Sequence, residues 1–193
     1  MNYEYLRHVL RARLFLLFKK REQAIDSYRM ALRQEPRSAK VLSALAFLYA
    51  SDKRFREAEH MLREALRGKP DDPIALFNLG YVCGQLGEHR EAIAAFEQTV
   101  RIRPNIDRAW YGMGMAYAVL GQHDEAAKAL EKAAELQPMN PHAWYNLGMA
   151  YHTLHNPDKV KEVILHLHRF DPIMSRKLII DAERSDLSHL IGT

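Results

Sequence analysis

The chain has 193 residues, 48% of them hydrophobic and 27% charged, with a net charge of +4. That balance is ordinary for a soluble globular protein. The single cysteine excludes an intrachain disulfide framework, and there is no run of about 20 apolar residues to cross a bilayer.

From the N-terminus, Leu14-Phe15-Leu16-Leu17-Phe18 follows several arginines in the manner of a secretory signal. Its apolar core is too short, is broken upstream by Arg7, His8, Arg11 and Arg13, and no small-residue cleavage site follows. A cytoplasmic protein without a membrane span is expected. The first helix is predicted from Tyr5 to Phe18, and Leu6, Val9, Leu10 and Leu14 to Phe18 surround nearly all of it. A helix apolar on most sides is normally covered on most sides. Two explanations stay open: a preceding segment covers it, or this end docks on a partner or on another copy. Charge is uneven along the chain. Residues 1–70 carry 16 Lys and Arg against 8 Asp and Glu, whereas residues 71–193 carry 12 against 16.

Pro36, Pro70, Pro104, Pro138 and Pro172 stand 34 residues apart. A fixed period of that size indicates a stacked array whose units cannot bury their apolar faces alone. Five units, 5–38, 39–72, 73–106, 107–140 and 141–174, make one domain over residues 1–193. Each unit reads as helix A, a turn, helix B, then a turn holding the proline, which cannot continue a helix. Gly87 and Gly121 fall in the A-to-B turn, where a positive φ is often needed. Lys19, Lys53 and His155 take that place in other units, and Asn156-Pro157 then supplies a cap and a first-turn proline. Small pairs mark close helix crossings: Ala12/Ala24, Ala46/Ala58, Gly80/Ala92 and Gly114/Ala126. The fifth unit pairs Gly148 with Val160, which predicts a slightly displaced helix B. Cys83, at the register position of Tyr117 and Tyr151, reads as a buried small hydrophobe. After Pro172 the helix A pattern returns once, with Leu178 and Ala182 in place of Trp144 and Gly148. That predicts a capping helix over about 175–185, with residues 185–193 frayed.

In the fourth unit, Trp110, Met113, Gly114, Tyr117, Gly121, Ala126, Leu130, Ala133 and Pro138 carry the pattern W-x2-L-G-x2-Y, then Ala and Pro. The chain thereby resembles the tetratricopeptide repeat family over residues 5–174. The resemblance implies an all-α, right-handed α-solenoid of five helix-turn-helix units plus a C-terminal capping helix. It further implies a non-enzymatic scaffold or adaptor that takes a peptide segment of a protein partner into a groove lined by the A helices. The positions that line this groove in the family are here Phe77, Asn78, Tyr81, Arg108, Tyr111, Met115, His142, Tyr145, Asn146 and Met149. Asn78 and Asn146 resemble asparagines that hold a bound peptide backbone in some members. The Lys and Asn set by which some members grip the carboxylate tail of heat-shock chaperones is not assembled in any three consecutive units.

Other chemistries find less support. Gly112 and Gly114 lie mid-helix and cannot cradle a phosphate. His152 and His155 could share a helix face, but no Cys or carboxylate joins them at a ligand spacing. No metal, no cofactor and no small-molecule substrate are expected. The basic first 70 residues lack the exposed aromatics of a nucleic-acid code, so nucleic acid is not an expected partner. A homo-oligomer through residues 5–18 is the alternative to the adaptor.

Overall fold

The computed structural model describes residues 3–190. Among them are eleven α-helices, one short 3-10 helix and no strand. They gather into two compact units, residues 1–88 and 89–193.

Unit 1 holds α1 (Tyr3–Leu17), α2 (Arg21–Gln34), α3 (Ala39–Ser51), α4 (Phe55–Gly68) and α5 (Pro73–Gln85). Burial follows apolar spacing. In α4, Ala58, Leu62 and Ala65 recur at four and three residues and are buried, while arginines and glutamates cover the other side. Helix α3 buries Val41, Leu42, Leu45, Ala46, Leu48 and Tyr49, a wider arc. Ile25, Val41, Leu45, Leu62 and Val82 form the driest part of this core. Helix α1 buries only His8, Val9 and Ala12. Leu10, Leu14, Leu17 and Phe18 remain exposed, Leu17 at 80%.

Unit 2 holds α6 (His89–Ile102), α7 (Asp107–Val119), α8 (His123–Leu136), α9 (Pro141–Thr153), α10 (Pro157–Phe170) and α11 (Pro172–Asp181), then a 3-10 turn over Ser185–Leu190. Its core runs through Leu130, Leu147, Ile164, Leu167 and Leu178. Gly114 brings α7 against α8: an added Cβ would stand 2.7 Å from Leu130 Cγ and 3.2 Å from the Ala126 carbonyl oxygen. Gly112 similarly gives room to the Phe96 ring, 2.6 Å from where its Cβ would lie.

Each A helix ends in the same way. The residue after the helix-ending turn takes positive φ: Lys19 at 57°, Lys53 at 59°, Gly87 at 78°, Gly121 at 74° and His155 at 53°. The next amide then reaches back five residues, as Lys20 N–H to Phe15 O at 2.8 Å, Arg54 to Tyr49 at 2.8 Å and Gln122 to Tyr117 at 2.9 Å. This closes helix ends that would otherwise leave carbonyls unpaired. Four helix starts, those of α5, α9, α10 and α11, are set by an acidic or amide residue followed by proline. Asp72, Asn140, Asn156 and Asp171 accept backbone N–H bonds from the turn they open, and Pro73, Pro141, Pro157 and Pro172 follow them.

Three details differ from the sequence reading. The space beside Gly148 is filled mainly from α11: an added Cβ would lie 2.5 Å from Leu178 Cδ2 and 3.2 Å from Val163 Cγ1. The residue that replaces the small partner of the glycine is therefore less important than the helix that follows. Pro172 opens α11 directly behind Asp171, without the four-residue turn of the earlier units. Residues 185–190, expected to fray, form the 3-10 turn and bury Leu187. The Arg184 guanidinium holds them, donating to Asp186 Oδ1 and Oδ2 at 2.8 and 2.7 Å and to the Pro157 carbonyl. Residues 191–193 of the expected frayed end lie outside the described residues.

Candidate functional site

In unit 2 the expected groove residues lie on two A helices. Arg108, Tyr111 and Met115 are spaced by three and four on α7, which places them along one stripe. His142, Tyr145, Asn146 and Met149 do the same on α9. Arg108 and His142 are exposed, while Tyr111, Met115, Tyr145, Asn146 and Met149 are half-buried. Tyr111, Tyr145 and Met149 pack against the buried core, so their inner edges are structural and only their outer edges are available.

Asn146 joins the two helices. Its Nδ2 donates to the Tyr111 hydroxyl at 2.9 Å and to the His142 carbonyl at 2.9 Å. A backbone carbonyl only accepts, so the nitrogen must face it and the amide orientation is fixed. Both donors are spent within the unit, and Oδ1 accepts no hydrogen bond among the described residues. Burial raises the Tyr111 phenol, against the lowering effect of the Asn146 bond. Tyr145 donates to Asp181 Oδ2 at 2.6 Å, and Lys177 Nζ lies 4.6 Å above its ring. Burial first, and then the Asp181 carboxylate, push this phenol up to about 12. The last helix thus occupies the hydroxyl end of Tyr145 and leaves α9's amide acceptor open.

The remaining expected residues belong to unit 1. Helix α5 carries Phe77 and Asn78, both half-buried, and Tyr81, 47% exposed. The structure therefore brings together Tyr111, Tyr145, Asn146 and the His142 backbone, with Met115 and Met149 beside them on the same stripes.

Several contacts recur with the period. Trp110 Nε1 donates to the Pro104 carbonyl and Trp144 Nε1 to the Pro138 carbonyl, both at 2.8 Å. Tyr117 donates to Glu97 at 2.9 Å and Tyr151 to Glu131 at 3.1 Å, while Arg29 Nε donates to the Tyr49 hydroxyl at 2.9 Å. His166 stacks on Trp144, centroids 4.1 Å apart, and meets Phe170 edge-on. That gives this histidine a packing role.

Sequence reasoning missed one convergence. Donor atoms of Glu59 on α4, Cys83 on α5 and Glu88 just beyond α5 lie within 4.8 Å of one another. Arg56 Nη1 reaches Glu88 Oε1 at 2.5 Å and Glu59 Oε2 at 3.1 Å, and Arg63 Nη2 reaches Glu59 Oε1 at 2.7 Å. Cys83 is fully buried, and burial, helped by the two carboxylates, pushes its thiol up to about 11. The signal was available in the register. Glu59 stands where Ile25, Ile93, Ala127 and Lys161 stand in other units, and Cys83 where Phe15, Tyr49, Tyr117 and Tyr151 stand.

No helix among the described residues is long and apolar enough to cross a membrane. No curated protein matches the sequence. Family models for the tetratricopeptide repeat match residues 41–107 and 141–172, and one for the TPR repeat matches residues 116–154. Among solved structures, the chain is similar to YrrB, described as a TPR protein with an unusual peptide-binding site. Identity there is 24%, coverage is 95% of this chain and 94% of that one, and the TM-score is 0.82. MamA from Desulfovibrio magneticus RS-1 is 21% identical over 96% of this chain and 98% of that one, with a TM-score of 0.78. PilF of Pseudomonas aeruginosa is 22% identical over 90% and 80%, with a TM-score of 0.73. At these identities the structural likeness speaks for the fold alone. Family models and solved structures agree on one repeating pair of helices, and the chain belongs to the tetratricopeptide repeat family with its all-α solenoid fold.

Proposed function

We propose that this protein is a non-enzymatic interaction scaffold that binds a peptide segment of a protein partner on its A helices, with residues 1–193 working as a single domain. Tetratricopeptide proteins are in general protein–protein interaction scaffolds, and YrrB has a peptide-binding site by its description. The observation that carries the reading is the Asn146 amide, oriented by two donated bonds with its Oδ1 unoccupied among the described residues. An oriented acceptor between half-buried aromatic and methionine side chains suits a backbone N–H of an extended peptide. Tyr111, Tyr145, Met115 and Met149 supply apolar edges, and Arg108 and His142 a polar rim. Phe77, Asn78 and Tyr81 offer a corresponding set on α5. A segment held this way binds at the micromolar scale, about −8 kcal/mol.

The test is selection of linear peptides from a displayed library on the intact chain, followed by titration of the winner. Asn146→Ala, and Tyr111→Ala with Tyr145→Ala, are expected to weaken binding about tenfold or more, about 1.4 kcal/mol, with helicity retained. Peptides that bind all variants equally would remove α7 and α9 from the site.

A second reading, self-association through residues 5–18, is favoured by one observation. Leu10, Leu14 and Leu17 recur at four and three residues on α1 and are all exposed. Gel filtration at two salt concentrations separates the readings: a salt-sensitive oligomer supports assembly, and a monomer at both supports the adaptor.

A further inference from the structure

Three register positions change character together in unit 1. The position of Ile25, Ile93, Ala127 and Lys161 becomes Glu59, that of Tyr49, Tyr117 and Tyr151 becomes Cys83, and the turn position of Lys20, Arg54, Gln122 and Asn156 becomes Glu88. A carboxylate on a core face is costly unless it is paired. Arg56 and Arg63 do pair both oxygens of Glu59 and one oxygen of Glu88. They leave Glu88 Oε2, which is buried and has no hydrogen-bond partner. An arginine-balanced network alone explains the first three oxygens. It does not explain a fourth that is buried without a partner in the same cluster as a fully buried thiol.

A sulfur and two carboxylate oxygens are a donor set that borderline divalent ions accept. Around a tetrahedral zinc with ordinary bond lengths, such donors stand about 3.5 Å apart. The three groups lie within 4.8 Å of one another, so small side-chain rotations would close the site. Arg56 and Arg63 hold the carboxylates, and Arg63 also hydrogen-bonds the Cys83 sulfur, a contact the ion would take over. We propose that Glu59, Cys83 and Glu88 bind one divalent cation of the zinc type, through the sulfur of Cys83 and one oxygen from each carboxylate. Binding releases the thiol proton to solvent and leaves one coordination position for water. The ion would tie α4 to α5 and to the turn beyond it.

Cobalt(II) titration of the chelator-treated, reduced full-length chain tests this. Cys83 is the single cysteine, so a thiolate-to-cobalt charge-transfer band can come from no other residue, whereas the ten histidines give none. The expected result is a band saturating at one cobalt per chain and displaced by zinc. Glu88→Gln and Glu59→Gln are each expected to weaken cobalt binding at least tenfold, and Cys83→Ser to abolish the band. The glutamate variants decide the matter if Cys83→Ser fails to fold. No band at saturating cobalt overturns the site. So does a band whose affinity is the same in both glutamate variants, which would mark an adventitious thiolate only.

Discussion

The packing of α11 on α9 can be tested at Gly148. An alanine there gains helix propensity of about 0.5–1 kcal/mol. Its Cβ would stand 2.5 and 3.0 Å from the two Leu178 methyls and 3.2 Å from Val163 Cγ1. Leu178 is fully buried, so its methyls have little room to retreat. Overpacking of this kind costs about 1–3 kcal/mol, and Gly148→Ala is therefore expected to destabilise by about 0.5–2 kcal/mol. Leu178→Ala alone should cost about 2–5 kcal/mol through the cavity it leaves. In the double variant the new methyl faces that cavity instead of a leucine, so the total should fall below the sum by about 1 kcal/mol or more. Urea unfolding followed by circular dichroism measures all four proteins. Stabilisation by Gly148→Ala alone, or additivity within about 0.5 kcal/mol, would refute the close approach of Leu178 to the α9 backbone.

Asn140 caps α9 by accepting from His142 N–H at 3.1 Å and Ala143 N–H at 3.4 Å. Asn140→Ala should cost about 1 kcal/mol in the same urea assay, and no loss would mean that Pro141 alone starts the helix. Tyr117, Tyr145 and Tyr151 are each pushed up to about 12, first by burial and then by Glu97, Asp181 and Glu131 respectively. Their neutral forms stabilise the folded chain below the ordinary value of 10.0, and this contribution is lost as pH rises through about 12. Ultraviolet titration should show a late-ionising set of phenols that joins the ordinary set in denaturant. A single transition at the ordinary value would contradict those three carboxylate contacts.

Much of the helical frame was legible, because a stacked unit repeats its constraints. Gly114 and Ala126 meet where the small-pair rule placed them, and Gly87 and Gly121 take the positive φ their turns require. Lys19, Lys53 and His155 adopt it too, since the bond reaching back five residues is the same in every turn. What escaped the sequence depends on contacts that no single unit contains. Leu178 fills the space over Gly148 from α11, thirty residues on. Asn146 commits one donor to Tyr111 in the preceding repeat. Glu59, Cys83 and Glu88 meet only because α4 and α5 are packed together. Such meetings can be read from a linear pattern only by asking which positions break the consensus at once.

Both tryptophans of the chain, Trp110 and Trp144, lie in unit 2, each tied to the proline carbonyl ahead of its own helix. Indole emission is therefore a private reporter of residues 89–193, while far-ultraviolet ellipticity averages over both units. Comparing the two signals through one thermal melt distinguishes simultaneous loss of both halves from sequential loss, with no label and no substitution.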